Sequence, residues 1–345
     1  MALIALTASA CGGAGSQDAD CGATTQVCGS AAPAVPGGGA NGGGAKGAAT
    51  SGDGVSGGPT PSRTPQSPPD LATCHTASDC GFPDASSTGP RIGLKPHRTG
   101  ALTITKDGTV IRGWDITGSL DIYADNVTVI DSKVTSTNWW GINLRAGFHG
   151  LRVLYSTITG VPGKGQDNGG EDYAVSNMGG SSVEVGFCDI SVFSDALSMG
   201  QGNLHDNYVH GIVPFVDQAG EWAHTDAVIS DGAGSDKLVI RHNTLLNPAS
   251  VPRGGTAAIG LYADTGAVLN TVVDDNWLAG GAYALYGGGD GANGIQVTNN
   301  VFSTEYYPGS GLYGPVAHWN TKGAGNVWRG NRMSDGKPVN PPAKP

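Results

Sequence analysis

Eight times after residue 130 the chain repeats one short signature, and that repeat constrains the fold more than any other feature. The tetrapeptides DSKV, YSTI, FCDI, DNYV, HNTL, DNWL, NNVF and GNRM align in register. Their second positions form a column: Ser132, Ser156, Cys188, Asn207, Asn243, Asn276, Asn300 and Asn331. Two positions on, the residue is always apolar: Val134, Ile158, Ile190, Val209, Leu245, Leu278, Phe302 and Met333. The column repeats after 19 residues at its closest (188 to 207) and 36 at its widest (207 to 243). A constant signature at unequal spacing is what the rungs of a coil produce when loops of different size join them.

Between the signatures lie short β-branched or aliphatic runs with period-two alternation, such as NVTVID, LRVLYS, KLVIRHN and NTVVDDN, separated by Gly, Asn and Asp. Strands this short, recurring without helical segments, specify an all-β parallel β-helix, a solenoid whose rungs stack ~4.8 Å apart. The absence of a helix-like segment in each rung disfavours a leucine-rich repeat. Stacked Asn side chains can hydrogen-bond up and down such a coil and tolerate the left-handed backbone that a bend requires. Cys188 stands within this column and is expected to be a buried free thiol.

Glycine contributes 58 of 345 residues, with charged residues at 14%. Part of that glycine lies in residues 12–87, rich in Gly, Ala, Ser, Pro and Thr, as in AAPAVPGGGANGGGAKGAATSGDG. Such a stretch cannot bury enough apolar surface to offset its ordering entropy, so it reads as a disordered Gly/Pro/Ser-rich tether. The β-helix domain is assigned to residues 88–335, behind an FPDASSTGP lead-in at 82–90, with a short tail at 336–345. Residues 1–11, MALIALTASAC, resemble the end of a bacterial lipoprotein signal, with Cys11 as the lipidated residue. Export follows, either free or anchored to a membrane by lipid. Cys21 with Cys28 and Cys74 with Cys80 can then close two small disulfide loops. A net charge of −10 argues against a nucleic-acid partner. No apolar run reaches the ~18 residues of a membrane span. A monomer is expected.

From about residue 82 to 335 the chain resembles the right-handed parallel β-helix proteins of the pectate-lyase-like superfamily, above all secreted bacterial members with an FPD-type lead-in. The resemblance implies a right-handed coil. Members of that superfamily differ widely in activity, so the chemistry has to be read from particular residues.

A second column precedes a strand in each rung, in WGIN, YAVS, DALS, DAVI, AAIG and YALY. Its small members, Gly141, Ala174, Ala196, Ala227, Ala258 and Ala284, are followed by apolar residues that must face the interior. Alternation then turns the small set outward, as a flat floor for an extended polymer. Just before them stand Trp140, Tyr173, Asp195, Asp226, Ala257 and Tyr283. Two carboxylates on consecutive rungs repel each other, so one should hold its proton while the other stays ionised, an arrangement suited to acid–base work or to calcium. Buried side by side they would be costly, which places them on the bend beside the groove. His224, two residues before Asp226, adds an imidazole, and Glu171 and Asp172 fall in the same register. Asp195, Asp226 and His224 are therefore the candidate catalytic residues. The long connections 161–170, 211–223 and 247–256 form a wall on this side, bringing Lys164, Glu221, Trp222 and Arg253 towards the pair. With Trp140, Glu171, Asp172, Tyr173 and Tyr283, the last three residues make up the candidate substrate contacts. His205, Arg241, Asp274 and Arg329 share another register and read as an exposed ion-pair ladder.

His224-Thr225-Asp226-Ala227 resembles the N-T-D-G segment of polygalacturonase-type hydrolases, and Ser194-Asp195-Ala196-Leu197 resembles their double-Asp segment in part. The order along the chain is reversed, a single Asp stands where two occur, and G-H-G and R-I-K segments are missing. The expected function is binding and cleavage of an extended polysaccharide. A hydrolase would use both carboxylates. A lyase would need a cation, with Lys164 or Arg253 as the base. A non-catalytic glycan-binding or structural surface protein is the other reading. The cofactor is none or calcium, the latter held by Asp195 and Asp226.

Overall fold

The computed structural model describes residues 75–178, 180–232 and 236–341, with backbone alone at 98 and 99. The signal-like segment with Cys11, the Cys21/Cys28 pair, Cys74 and the tether up to residue 74 lie outside the described residues. Every strand pairing within the two sheets is parallel, and among the described residues helix is limited to two 3-10 turns, Ser78–Cys80 and Val251–Arg253. No helix there is long and apolar enough to cross a membrane. The protein is a parallel β-helix.

Each rung has three walls. The first is a nine-stranded sheet running from Val110–Arg112 to Val327–Arg329. The second carries the repeated signature, for example Tyr208–His210, Thr244–Asn247 and Trp277–Gly280. The third contains Tyr173–Asn177, Asp195–Ser198, Thr225–Ser230 and Gly255–Leu261. The second and third walls belong to one 17-stranded sheet because Trp114–Ile122 spans both. Strand Lys95–Ile104 pairs along the whole of Trp114–Ile122 and covers the N-terminal end of the coil.

The corner between the first and second walls is two residues long and explains the repeat. The first residue of each signature is left-handed: Asp131, Tyr155, Phe187, Asp206, His242, Asp275 and Asn299 have φ between 45° and 59°, and Gly330 takes φ 69°. The left-handed bend thus falls one residue before the Asn column. The Asn itself serves as a ladder. Asn243 Oδ1 accepts bonds from the backbone N–H and Nδ2 of Asn207, both at 2.9 Å, and Asn276 Oδ1 does the same for Asn243 at 3.0 Å. Asn300 and Asn331 continue it. On the early rungs serine replaces asparagine, and Ser156 Oγ accepts from the Ser132 N–H at 3.1 Å. Cys188 is free and buried in this column, its N–H bonded to Asn207 Oδ1, and burial pushes its thiol up to about 12. The apolar residues two places on, from Val134 to Phe302, are fully buried. Each contributes roughly 1.5–3 kcal/mol of burial free energy.

Residues 75–87 form a strap on the coil. Phe82 lies 5.6 Å from the His242 ring and 5.8 Å from that of Trp277, and Thr244 Oγ1 donates to Pro83 O. Further on, Gly89 N–H donates to Phe187 O, and Arg91 pairs with Asp131 beneath a 3.4 Å contact with the Tyr155 ring. Phe82 is the large apolar side chain by which this segment packs on Leu246, Trp277, Ala279 and Val301. Cys80, on this strap, is disulfide-bonded. The expected ion-pair ladder is present in Arg241 and Asp274, 3.1 Å apart on paired residues.

Candidate active site

The third wall holds the reactive groups. Asp195 pairs with Tyr173 on one side and Asp226 on the other, and Asp226 pairs with Ala257, so the two carboxylates are neighbours on adjacent rungs. The small column does not form an outer floor. Ala174, Ala196, Ala227, Ala258 and Ala284 are buried in the core alongside Val175, Leu197, Val228, Ile259 and Leu285. A Cβ on Gly141 would press on Ile158 and Phe193, both core residues. At this corner two successive residues turn inward, which breaks the period-two alternation. Small side chains are required because the corner brings the wall close to the core. The same break turns the preceding residue, Asp195 or Asp226, away from the core.

The long connections do enter this wall, at residues 160–172, 211–224 and 248–254. The carboxylates are buried, Asp195 at 1% and Asp226 at 0% exposure. His224 closes the site from the solvent side. Its Nδ1 lies 3.1 Å from Asp195 Oδ2 and 3.5 Å from Asp226 Oδ2, while the side chain is 56% exposed. The Ser194 hydroxyl donates to the carbonyl of His224 at 2.7 Å and fixes the backbone that carries the ring. Tyr262 Oη donates to Asp226 Oδ1 at 3.0 Å. Two oxygens of the pair, Asp195 Oδ1 and Asp226 Oδ2, are buried without a hydrogen-bond partner.

These environments separate the protonation states. Burial pushes the Asp195 carboxyl up to about 7 against the pull of His224, and burial also raises Asp226, opposed by His224 and Tyr262. Asp172, behind Asp195, is raised well above the usual carboxylate range by burial and by the Asp195 charge. The Asp195 charge in turn holds the His224 imidazole far above its ordinary value, helped by hydrogen bonding to both carboxylates. The cluster at neutral pH is an imidazolium over carboxyl groups that resist ionising together and so keep protons among them.

The remaining candidates divide. Asp172 and Tyr173 adjoin the pair, and Trp139 stands edge-on to Tyr173 at 6.2 Å. Trp140 is one rung further, with Arg145 5.0 Å over its ring. Tyr283 lies on the other side, packed with Tyr286 and Tyr313. Glu171 and Lys164 serve each other instead: Nζ is 2.7 Å from Oε1, and the Val161 N–H donates to Oε2. Arg253 sits 5.8 Å over Trp222, and exposed Glu221 is tied through its backbone to Asp217. Register brought the Asp–His group together; the loop paths decided the rest. Tyr262 and Ser194 are the groups that sequence reasoning missed. A signal for Tyr262 exists in Gly260, where a Cβ would collide with the Tyr262 ring laid across it.

The donors of Asp195, His224 and Asp226 all lie within 4.8 Å of one another, close enough to surround one ion. Calcium takes six to eight oxygen ligands, and a set of two carboxylates with an imidazole nitrogen fits it poorly. No protein-family model, no curated protein and no solved structure matches this chain.

Proposed function

We propose that the protein is a secreted, carbohydrate-active β-helix protein, akin to the pectate-lyase-like superfamily, that binds an extended polysaccharide along its third wall and cleaves it. The observation that carries this reading is the stacked pair Asp195–Asp226 capped by a single imidazole 3.1 and 3.5 Å away. Asp195, protonated by virtue of its burial, gives its proton to the glycosidic oxygen as the C1–O bond breaks. Asp226, held by Tyr262, attacks C1. Water then hydrolyses the ester, losing its proton to Asp195. An oxygen of each carboxyl group lies within 4.8 Å of the other, closer than the gap of roughly 6.5–9.5 Å that an inverting water needs, which favours this retaining course. His224, half in solvent and held by the pair, is the group that swings aside to admit the sugar.

Hydrolysis is preferred to elimination because the two bases a lyase would use are engaged elsewhere, Lys164 on Glu171 and Arg253 on Trp222. The chemistry proposed needs no calcium. Export is supported by the disulfide at Cys80, which belongs to an oxidising compartment. Lipid attachment at Cys11 and a monomeric state belong to the same proposal, tested by membrane fractionation of Cys11→Ala and by sedimentation.

A second reading, a non-catalytic glycan-binding surface protein, is favoured by the near-complete burial of both carboxylates. Products from a panel of polysaccharides separate the two. New reducing ends without an unsaturated, ultraviolet-absorbing sugar show a hydrolase, and the unsaturated sugar shows a lyase. Binding without either product leaves the second reading. Activity that survives both Asp195→Asn and Asp226→Asn removes the site assignment.

A further inference from the structure

The charge around the site is one-sided. Asp172, Asp195 and Asp226 stand at the start of the third-wall strands, and Asp231 follows the end of Thr225–Ser230. Thr265, next to Asp264 in the chain, donates both its N–H and its hydroxyl to Asp231 O at 2.9 Å, which sets Asp264 beside Asp231, and burial together with the Asp264 charge raises the Asp231 carboxyl. Among the described residues no Lys or Arg lies within ion-pair distance of any of these five. The one cation that meets them is His224, shared by Asp195 and Asp226. Nearby cations are already committed: Lys164 to Glu171, Arg145 to Asp121 and Arg253 to Trp222.

An acidic cluster alone would say little, but two independent features point to a ligand. Asp195 Oδ1 is a buried acceptor with no hydrogen-bond donor, and Asp226 Oδ2 has only the long 3.5 Å contact with His224 Nδ1. Buried carboxylate oxygens left unpaired are costly unless something arrives to satisfy them. Beside them runs an aromatic strip. Tyr262 lies across Gly260 with its hydroxyl on Asp226, and its ring is 5.4 Å from Tyr286, which stacks 5.6 Å from His318. Tyr283 joins Tyr286 to the exposed Tyr313. Aromatic faces receive apolar sugar faces and attract cations.

We propose that the polysaccharide bound here carries free amines: a cationic amino-sugar polymer, its rings on the Tyr262–Tyr286 strip and its ammonium groups between the Asp195–Asp226 pair and the Asp231–Asp264 pair. This rests on the third wall being a glycan site, but not on cleavage. An ammonium group supplies the donor that Asp195 Oδ1 lacks, and it meets a group of acidic residues against which a single imidazole is set. A uronate polymer meets repulsion from the same groups.

The test is calorimetric titration of the full chain, kept cold and at low salt, with hexamers of glucosamine, N-acetylglucosamine and galacturonic acid, at a pH that keeps the amine charged. The glucosamine hexamer is expected to bind about ten-fold or more tighter than its acetylated counterpart, and the galacturonate hexamer more weakly than either. Asp231→Asn with Asp264→Asn should weaken glucosamine binding about five-fold or more and leave the acetylated hexamer unchanged. Asp79→Asn with Asp107→Asn changes net charge equally, away from the wall, and should do neither. Equal affinities, preference for galacturonate, or an equal effect of the two double variants overturns the proposal. Chromatography of the same samples keeps the two readings apart. Selective binding of an intact glucosamine hexamer ends the cleavage reading and leaves this one, whereas cleavage of galacturonate does the reverse.

Discussion

Two columns of polar side chains climb this coil, and they are built on opposite rules. In the corner ladder every Asn is buried and saturated: Asn243 accepts two bonds from Asn207 and donates to Leu204 O, Arg241 O and Asn276 Oδ1. On the third wall, Asp195 and Asp226 are just as buried, yet Asp195 Oδ1 has no hydrogen-bond partner and Asp226 Oδ2 has only a long contact with His224. A neutral amide carries both donor and acceptor, so stacked copies satisfy one another. Stacked carboxylates carry only acceptors and repel. Stacking polar groups stabilises the coil in the first column and works against it in the second.

The sharpest way to break this comparison is Asn243→Ala. It removes five side-chain bonds and strands the backbone N–H of Asn207, so a loss of about 3–5 kcal/mol is expected in chemical denaturation. A loss below about 1 kcal/mol would show that the ladder merely accompanies a core able to hold the corner by itself.

The opposite result is expected at the site. Asp195→Asn should lower polysaccharide cleavage about 100-fold or more without lowering stability at neutral pH. In the wild type, cleavage should fall as pH rises through about 7, where Asp195 gives up the proton it must donate. A rate that rises across that range would assign the donor elsewhere.

Asp172→Asn sharpens the contrast through stability alone. Its folded-state value is raised, so the protonated form favours the fold: that contribution is full below the ordinary carboxylate range near 4 and is lost as pH rises through the folded value. The amide escapes this loss. Melting of the variant should show a gain of about 1–2 kcal/mol at pH 8 and almost none at pH 4. Equal effects at both pH values would mean that Asp172 is ionised without strain.

How much of this was legible follows from which features repeat. The walls, the ladder, the core column and the rung-on-rung pairing of Asp195 with Asp226 all rest on register, and register is written in the chain. So is His224, two residues upstream. The outward Gly/Ala floor failed because alternation was carried through a corner where Ala196 and Leu197 both turn inward. Lys164, Glu171, Trp222 and Arg253 lie on loops that occur once, where no period says which way a side chain points. Tyr262 reaches Asp226 from the far end of the next strand, a contact made possible by the missing side chain at Gly260.

The smallest effect expected is that of calcium, and its smallness is informative. If the third-wall column were a calcium ladder, added calcium would raise the melting temperature and chelation would abolish cleavage. Its donors are instead two carboxylates and the Nδ1 of His224, an imidazole that the pair keeps protonated. Calcium would have to displace that proton and then find most of its six to eight oxygens in water. Millimolar calcium or EDTA should therefore change activity by less than about two-fold and leave melting where it was. Zinc is the discriminating control, since it accepts nitrogen together with carboxylate oxygen in a four-ligand site. It should compete with the proton on His224, bind more tightly as pH rises, and inhibit reversibly. His224→Gln would abolish that inhibition. Activation by calcium, with no response to zinc, would mean that the carboxylates work as an oxygen site without the imidazole.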